Sequence, residues 1–540
     1  MDGQFDYIIV GAGSAGSVLA HQLSADGRSR ILILEAGGSD RRLFVHMPLG
    51  YGKLFYDPAV NWMYRTEPDP GLGGNADHWP RGKIIGGSSA INAMVWIRGH
   101  PSDYDDWQSL GNPGWGWDDV LPAFKAMEHN EAGADAWRGQ GGPLFISANR
   151  RDLHRLVEPY IAACEAIGIP RNPDFNGAVQ EGAGNYQMTI KGGRRNSAAR
   201  AFLRPALKRR NVVLQTRAHV TRVLFNGNRA VGVAYRQGGQ DHVAQARGEV
   251  ILCGGAINTP QLLMLSGIGP GAQLASLGLP VLCDNPNVGA HLNDHQGINY
   301  TYRMTVPTLN NILRPWWGKA WVGARWLLTG RGPLALSINH GGGFFRTDPA
   351  LSRPNMQLYM QAFSTLLPRA AERPVLTPDP FAGLSIGLSN CRPTSRGEIT
   401  LRSADPFAPP RIVANVYSTD HDVAEMLAAV KTIRRITDAK PMASLIAEEL
   451  RPGPSVTSDA DLIADFRARS GTVYHPSCTA RMGPDPSASV VDPRLKVHGI
   501  NGLRVIDAST FPTLPGGNTN APAMLMGWQG AKLILKDRAG

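Results

Sequence analysis

Cysteine is scarce and unpatterned. The chain of 540 residues holds five, Cys164, Cys253, Cys283, Cys391 and Cys478, an odd number with no C-x-x-C pair. That spacing argues against a disulfide framework and a zinc site, so no metal is expected and a reducing compartment, the cytoplasm, is the default. Long apolar runs are missing too. No stretch of about eighteen apolar residues exists, so no transmembrane helix is expected. Acidic residues are the minority among the charges, 44 against 55 Lys and Arg, for a net charge of +11. An excess of that sign admits an anionic partner. The cations are dispersed, however, the densest groups being Arg194-Arg195 and Lys208-Arg209-Arg210. With no zinc spacing, aromatic RNA-binding signature or basic heptad region, nucleic acid is not expected as a partner. There is no internal repeat and no low-complexity tract. A nucleotide motif begins within a dozen residues of Met1, so no signal peptide is expected within this sequence.

What is present reads as a large globular core with many turns, 62 Gly and 40 Pro among 43% hydrophobic residues. Asp6 to Val10 is a short apolar strand, Ser17 to Ala25 a helix and Arg30 to Leu34 a second strand, a β-α-β unit that implies a parallel sheet. Residues 40 to 120 are rich in Gly, Pro and Trp and read as long ordered loops. Strands return at Val212–Gln215, Val220–Phe225, Val231–Tyr235 and Glu249–Cys253. Residues 300 to 475 differ: Asn355–Gln361 and Leu384–Leu388 suggest an antiparallel sheet, and Asp420–Asp438 a helix. Leu503–Asp507 is again a strand and Ala523–Lys536 a closing helix. The fold class is therefore α/β: a Rossmann-type nucleotide domain built from both chain ends (1–155, 195–300 and 478–540). Inserted into it is an α+β domain on an antiparallel sheet (156–194 and 301–477).

The β-α turn carries G-x-G-x-x-G as Gly11-Ala-Gly-Ser-Ala-Gly16. Gly11 permits the tight turn, Gly13 lets backbone approach a pyrophosphate and Gly16 allows close helix–strand packing, while the helix start at Ser14 and Ala15 offers free N–H groups. Glu35 ends the next strand nineteen positions after Gly16 and can accept hydrogen bonds from a ribose. The fingerprint alone does not separate FAD from NAD.

Further motifs make that choice. Gly82-Lys-Ile-Ile-Gly-Gly-Ser-Ser-Ala-Ile-Asn92, with Trp96, Gly99 and Asp105, resembles the first signature of the glucose–methanol–choline (GMC) oxidoreductases. Gly255-Ala-Ile-Asn-Thr-Pro260, continued to Gly269, resembles the second. The resemblance spans residues 6 to about 535 and implies FAD. The run Gly86-Gly87-Ser88 supplies small residues and free N–H groups where a flavin needs close backbone contact. By resemblance Asn92, Ala93, Met94 and Val95 lie along the isoalloxazine, Asp507 meets the ribityl–phosphate region and Val220 the adenine. Ala36, Arg81, Ala508 and Thr519 join the cofactor set in the same way. Ile91 stands where some relatives carry a His that bonds FAD covalently, so the flavin is expected to be non-covalent. His291, where relatives usually carry Asn, is read as a domain-junction turn.

The resemblance also implies the chemistry: oxidation of a primary or secondary alcohol (polyol, alkanol or choline-like) by hydride transfer to flavin N5. His475, in Thr472-Val-Tyr-His-Pro-Ser-Cys-Thr-Ala-Arg-Met-Gly483, matches the catalytic His, and Asn518 its partner, with Asn520 as a neighbouring candidate. A His suits removal of the hydroxyl proton, and the pH profile is expected to rise near the ordinary His value. A quinone or other acceptor is expected to take the electrons; an O2-using oxidase and an FAD-containing lyase without net redox change remain alternatives. An NAD dehydrogenase explains residues 6 to 35 but none of the later motifs, and a non-catalytic flavin-binding scaffold is the remaining rival. Trp316-Trp317, Trp321 and Trp326 among Arg314, Lys319 and Arg325 fit either a substrate-domain helix or an interfacial one at the inner membrane.

Overall fold

A computed structural model of the chain describes residues 4–148, 151–366 and 377–539. Strand Phe5–Val10 pairs in parallel with Ile31–Glu35 on one side and with the end of the long strand Gln240–Leu252 on the other. Val212–Thr216 extends the sheet beyond Ile31–Glu35, and Leu503–Val505 extends it beyond Gln240–Leu252, again in parallel. The central strands are near-continuous Ile, Leu and Val and are buried, as expected of a parallel sheet covered on both faces. The start of Gln240–Leu252 leaves this sheet as an antiparallel ribbon with Arg229–Gln237 and Ala218–Asn226. Helix Ser14–Leu23 packs against the closing helix Asn520–Ala539, so both chain ends share one core. Arg504, 1% exposed, locks that closure: its guanidinium meets Glu249 of the long strand at 2.6 Å and Asp537 of the closing helix at 2.5 Å.

The second sheet is antiparallel throughout. Its order is Ile446–Arg451, Gln296–Met304, Gly383–Asn390, Met356–Gln361, Gly341–Phe345 and Gly182–Asn185, with Gly471–Thr472 also paired to Gln296–Met304. Helix Asp420–Asp438 covers it with a stripe that includes Met426, Ala429, Val430, Ile433 and Ile436, a 3.6-residue period. Thr419 caps that helix and Asp420 and Asp422 sit in its first turn, where the free N–H groups and the dipole favour acidic groups. A third apolar cluster, containing Tyr51, Met94, Val95, Tyr359 and Phe363, lies between the two sheets.

Three readings change. Residues 101–120, expected among loops, lie largely in helices Pro101–Ser109 and Trp117–Met127. The first starts with a His100–Asp103 capping box and Pro101 at its first position, signals hidden among the surrounding glycines. The 300/301 boundary falls inside strand Gln296–Met304. Ile399, Leu401 and Ile412, assigned to the inserted domain, belong to the nucleotide-domain core.

The stretch after Asn92 is anchored by a buried ion pair. Arg98 Nε donates to Glu128 Oε1 at 2.9 Å, and Trp96 Nε1 donates to the same oxygen at 2.8 Å. Both charged side chains are at most 1% exposed. Replacing Glu128 by Ala leaves the guanidinium buried without a counter-charge, which costs about 3–5 kcal/mol. A drop of that size in the denaturation free energy of Glu128→Ala is expected in a chemical-denaturation series, and an unchanged midpoint contradicts it.

Candidate active site

A continuous cleft of about 580 Å³ runs from the first β-α turn to the second sheet. Its floor is a contact between two glycine loops. A Cβ on Gly87 would stand 2.8 Å from Gly13 Cα, and Gly87 has φ +51°, so the loops meet this closely only because Gly87 lacks a side chain. Helix Ser14–Leu23 begins at Gly13 with no side-chain cap, which leaves its first N–H groups and positive dipole end for an anion. Glu35 lines the same cleft. Its two oxygens accept from Ala12 N at 2.9 Å and Gly37 N at 2.7 Å, and each keeps a lone pair for a hydroxyl donor. Burial pushes its carboxyl up to about 7 against those two bonds. An uncapped helix start, a glycine cradle and a carboxylate at the end of the second strand together fit a dinucleotide.

At the far end stands an imidazole pair. His475 Nδ1 lies 3.0 Å from His295 Nδ1, and His295 Nε2 lies 2.9 Å from the Cys391 carbonyl oxygen. A carbonyl only accepts, so His295 carries its proton on Nε2 and its Nδ1 is an acceptor. His475 must then donate from Nδ1, which leaves a lone pair on His475 Nε2. Asn518 Nδ2 donates toward that nitrogen at 3.3 Å. Asn518 is itself oriented by Gln357 Nε2, which donates to its Oδ1 at 3.1 Å, and Tyr359 OH donates to Gln357 Oε1 at 2.7 Å. The backbone holds the same geometry. His475 N donates to Asp294 Oδ1 at 2.8 Å, and Arg81 Nη2 donates to the Tyr474 carbonyl at 2.5 Å. Gly516 N, two residues before Asn518, donates to buried Asp103 at 2.8 Å.

Both imidazoles are kept neutral. Burial, then the neighbouring His295 and Arg81, lowers His475 well below the ordinary His value. Burial brings His295 down to about 4. The expectation of an ordinary His ionisation is thereby corrected: desolvation, with no carboxylate hydrogen-bonded to either ring, moves it down.

Every site residue expected from sequence lines this cleft except Gly16 and Gly86. A Cβ on Gly16 would stand 2.0 Å from Gly11 O, so it serves helix–strand packing. Gly86, at φ +90°, braces its loop by donating from N to Ala12 O at 2.8 Å. Asp507 lines the cleft, while its oxygens accept from Gly255 N, Thr259 Oγ1 and Ser509 N. Asn520 accepts from Ser14 Oγ at 2.8 Å, so Asn518 is the amide beside His475. His291 is a turn residue at φ +61°, a conformation His and Asn tolerate better than most. Sequence reading missed His295, four residues further on. Its one signal was the Asp294-His295 pair, which a scan for isolated turns passes over. It also missed Gln357, Trp62 and His219, the last two lining the cleft near Val220.

Fold and cleft together fit a dinucleotide-dependent oxidoreductase whose cleft ends at a buried imidazole pair. Two family models described as GMC oxidoreductase match residues 5–297 and 393–527. The chain is 42% identical to an alcohol dehydrogenase [acceptor] of Pseudomonas putida, over 98% of this chain and 96% of that protein. It is 41% identical to the mitochondrial choline dehydrogenase of Homo sapiens, over 98% and 90%. Among solved structures, pyridoxine 4-oxidase from Mesorbium loti superposes with a TM-score of 0.88 at 30% identity, covering 99% of both chains. A formate oxidase of Aspergillus oryzae RIB40 superposes at 0.92 with 27% identity, covering 100% of this chain and 99% of that one. The chain belongs to the GMC oxidoreductase family, and FAD is its cofactor.

Because His295 sets which nitrogen of His475 is free, His295→Gln is expected to slow anaerobic flavin reduction by an alcohol about 10–100-fold with FAD retained. A base at His475 would have to be unprotonated, so the wild-type rate is expected to rise with pH through an ionisation below the ordinary His value and to be flat above it. Removing the second imidazole should move that break upward. A His295→Gln profile superimposable on wild type contradicts the tautomer assignment.

Proposed function

We propose that this protein oxidises a primary or secondary alcohol of the polyol, alkanol or choline-like class, with His475 as the general base. The observation that carries the reading is the His475 Nε2 lone pair, held toward the cleft with the Asn518 amide beside it. Bound FAD supplies the hydride acceptor. The helix start at Gly13 to Ala15 would hold its pyrophosphate, Glu35 its ribose, and Asn92 to Val95 would border its ring. Ile91, 2% exposed and lining the cleft, has no nucleophile to bond the ring, so the cofactor is held without a covalent link. His475 Nε2 takes the hydroxyl proton, and Asn518 Nδ2 donates to the same oxygen and fixes its position. Tyr51, Phe55, Tyr359 and Phe363 give the chamber aromatic walls, which exclude water from the reacting centre.

The electrons pass to a quinone or other acceptor, in keeping with the "[acceptor]" dehydrogenase among the relatives. This reading puts the enzyme in the cytoplasm with peripheral contact at the inner membrane. Among the described residues no helix is long and apolar enough to cross a membrane.

His475→Ala is expected to slow anaerobic flavin reduction about 10²–10⁴-fold, or roughly 3–5 kcal/mol of barrier, with FAD still bound. Asn518→Ala should slow it less, because an amide orients but does not take a proton. Wild-type reduction by His475→Ala removes the mechanism. In a stopped-flow comparison, reduced enzyme should return electrons to a soluble quinone or dye much faster than to air. Comparable rates with oxygen make it an oxidase.

A further inference from the structure

Helix Trp316–Thr329 is amphipathic the wrong way round for a surface helix. Its packed stripe is Gly318, Val322 and Trp326, with Trp326 Nε1 donating to Gly193 O at 2.7 Å. At about 100° per residue, the opposite, outward side carries Trp317, Ala320, Trp321, Ala324, Leu327 and Leu328. All are exposed, Leu328 at 86%, and Trp316 beside them is 80% exposed. Cations rim this face. Lys319 flanks one side and Arg325 the other, the latter 5.6 Å from the Trp321 ring centroid. Arg314 precedes the helix and Arg331 follows it. From residue 295 to 347 the chain contains six Lys and Arg and no Asp or Glu. Among the described residues, Asp152 reaches the helix from elsewhere and pairs with Arg325 at 2.9 Å.

We propose that the outward face of helix Trp316–Thr329 docks on an anionic lipid surface, lying in the interface plane. The indole and leucine side chains enter the headgroup–acyl boundary, and Lys319 and Arg331 reach lipid phosphates along their aliphatic stems. Fourteen residues are too few to span, which fits lying flat. The choice of lipid over a protein partner rests on charge: an acid-free apolar face with a cationic rim matches a phosphate-bearing plane. The helix packs behind the substrate chamber without lining it: Val322 shares an apolar cluster with Leu309, Leu313 and the cleft residues Tyr359 and Phe363. Docking would therefore set that chamber beside the bilayer, which deepens and rests on the membrane contact proposed above.

The test is co-sedimentation of the FAD-loaded enzyme with vesicles of phosphatidylcholine alone or mixed with phosphatidylglycerol. Retention on the mixed vesicles, weakened by salt, is expected. Trp317→Ser with Leu328→Ser should weaken it about ten-fold or more, with FAD content and dye-linked turnover of a water-soluble alcohol unchanged without vesicles. Equal sedimentation of the double variant, or none of the wild type, overturns the proposal. So does a dimer in gel filtration that the double variant loses while vesicle binding stays absent, since a second copy then covers the face. Vesicle binding by a protein whose flavin no alcohol reduces would leave the docking standing and remove the alcohol reading instead.

Discussion

The cleft exists because two backbone loops from different parts of the chain touch without side chains between them. Gly13 opens the first helix and Gly87 sits in the run that follows Gly82. With a Cβ on Gly87 only 2.8 Å from Gly13 Cα, any larger residue would push the loops apart. That contact puts an uncapped helix N-terminus beside the chain segment leading to Asn92, Met94 and Val95. The remaining structure braces those two parts. Both chain ends enter one parallel sheet, Arg504 ties the closing helix to it, and the Arg98–Glu128 pair holds the segment beyond Val95. The second sheet then supplies the opposite wall.

The second sheet is also what gives His475 a defined tautomer. An isolated imidazole in a Gly-Pro-rich loop would exchange tautomers. Here Gly471–Thr472 pairs with Gln296–Met304, which brings His295 under His475. The chain turn at Cys391, just after strand Gly383–Asn390, supplies the carbonyl that polarises the pair. Met356–Gln361 of the same sheet contributes Gln357 and Tyr359, which orient Asn518. The His475 ring, its tautomer and its amide partner thus come from one sheet and two loops, separated by up to 223 positions between His295 and Asn518.

This separation explains what could be read in the sequence. The nucleotide half depends on local rules: period-two and continuous apolar strands, a Gly-rich turn at fixed spacing, an acid at the next strand end. Each leaves a contiguous trace, and the strands and the helix Asp420–Asp438 fell within a few residues of where those traces put them. His475 and Asn518 were legible through motif resemblance, not through any local physical signal. His295 and Gln357 had neither, because their part in the site comes from strand register between distant segments. The two helices at 101–127 were missed for the opposite reason. Their capping signals are local but lie in a stretch whose glycine content suggests loops. Trp326 shows the same gap. Its neighbours Trp316, Trp317 and Trp321 face outward, and only tertiary packing turns Trp326 in.

The electrostatics of the chamber follow from what it leaves out. In a base oriented by a carboxylate, the imidazolium formed on proton uptake has a partner of opposite charge. His475 has a second neutral imidazole instead, and the nearby Asp294 spends its oxygens on Thr472 Oγ1 and the His475 backbone. Positive charge on His475 is therefore costly while the site stays closed and dry. Such a ring would accept a proton only as an adjacent group becomes negative, which in the proposed mechanism is an alcohol oxygen losing its proton beside it. A neutral pair of this kind resists resting protonation at mildly acidic pH and gives the proton up readily once the product leaves. The arrangement thus suits a base that must be empty at the start of each cycle, and it does so through burial and tautomer control, without an acidic residue in contact with the ring.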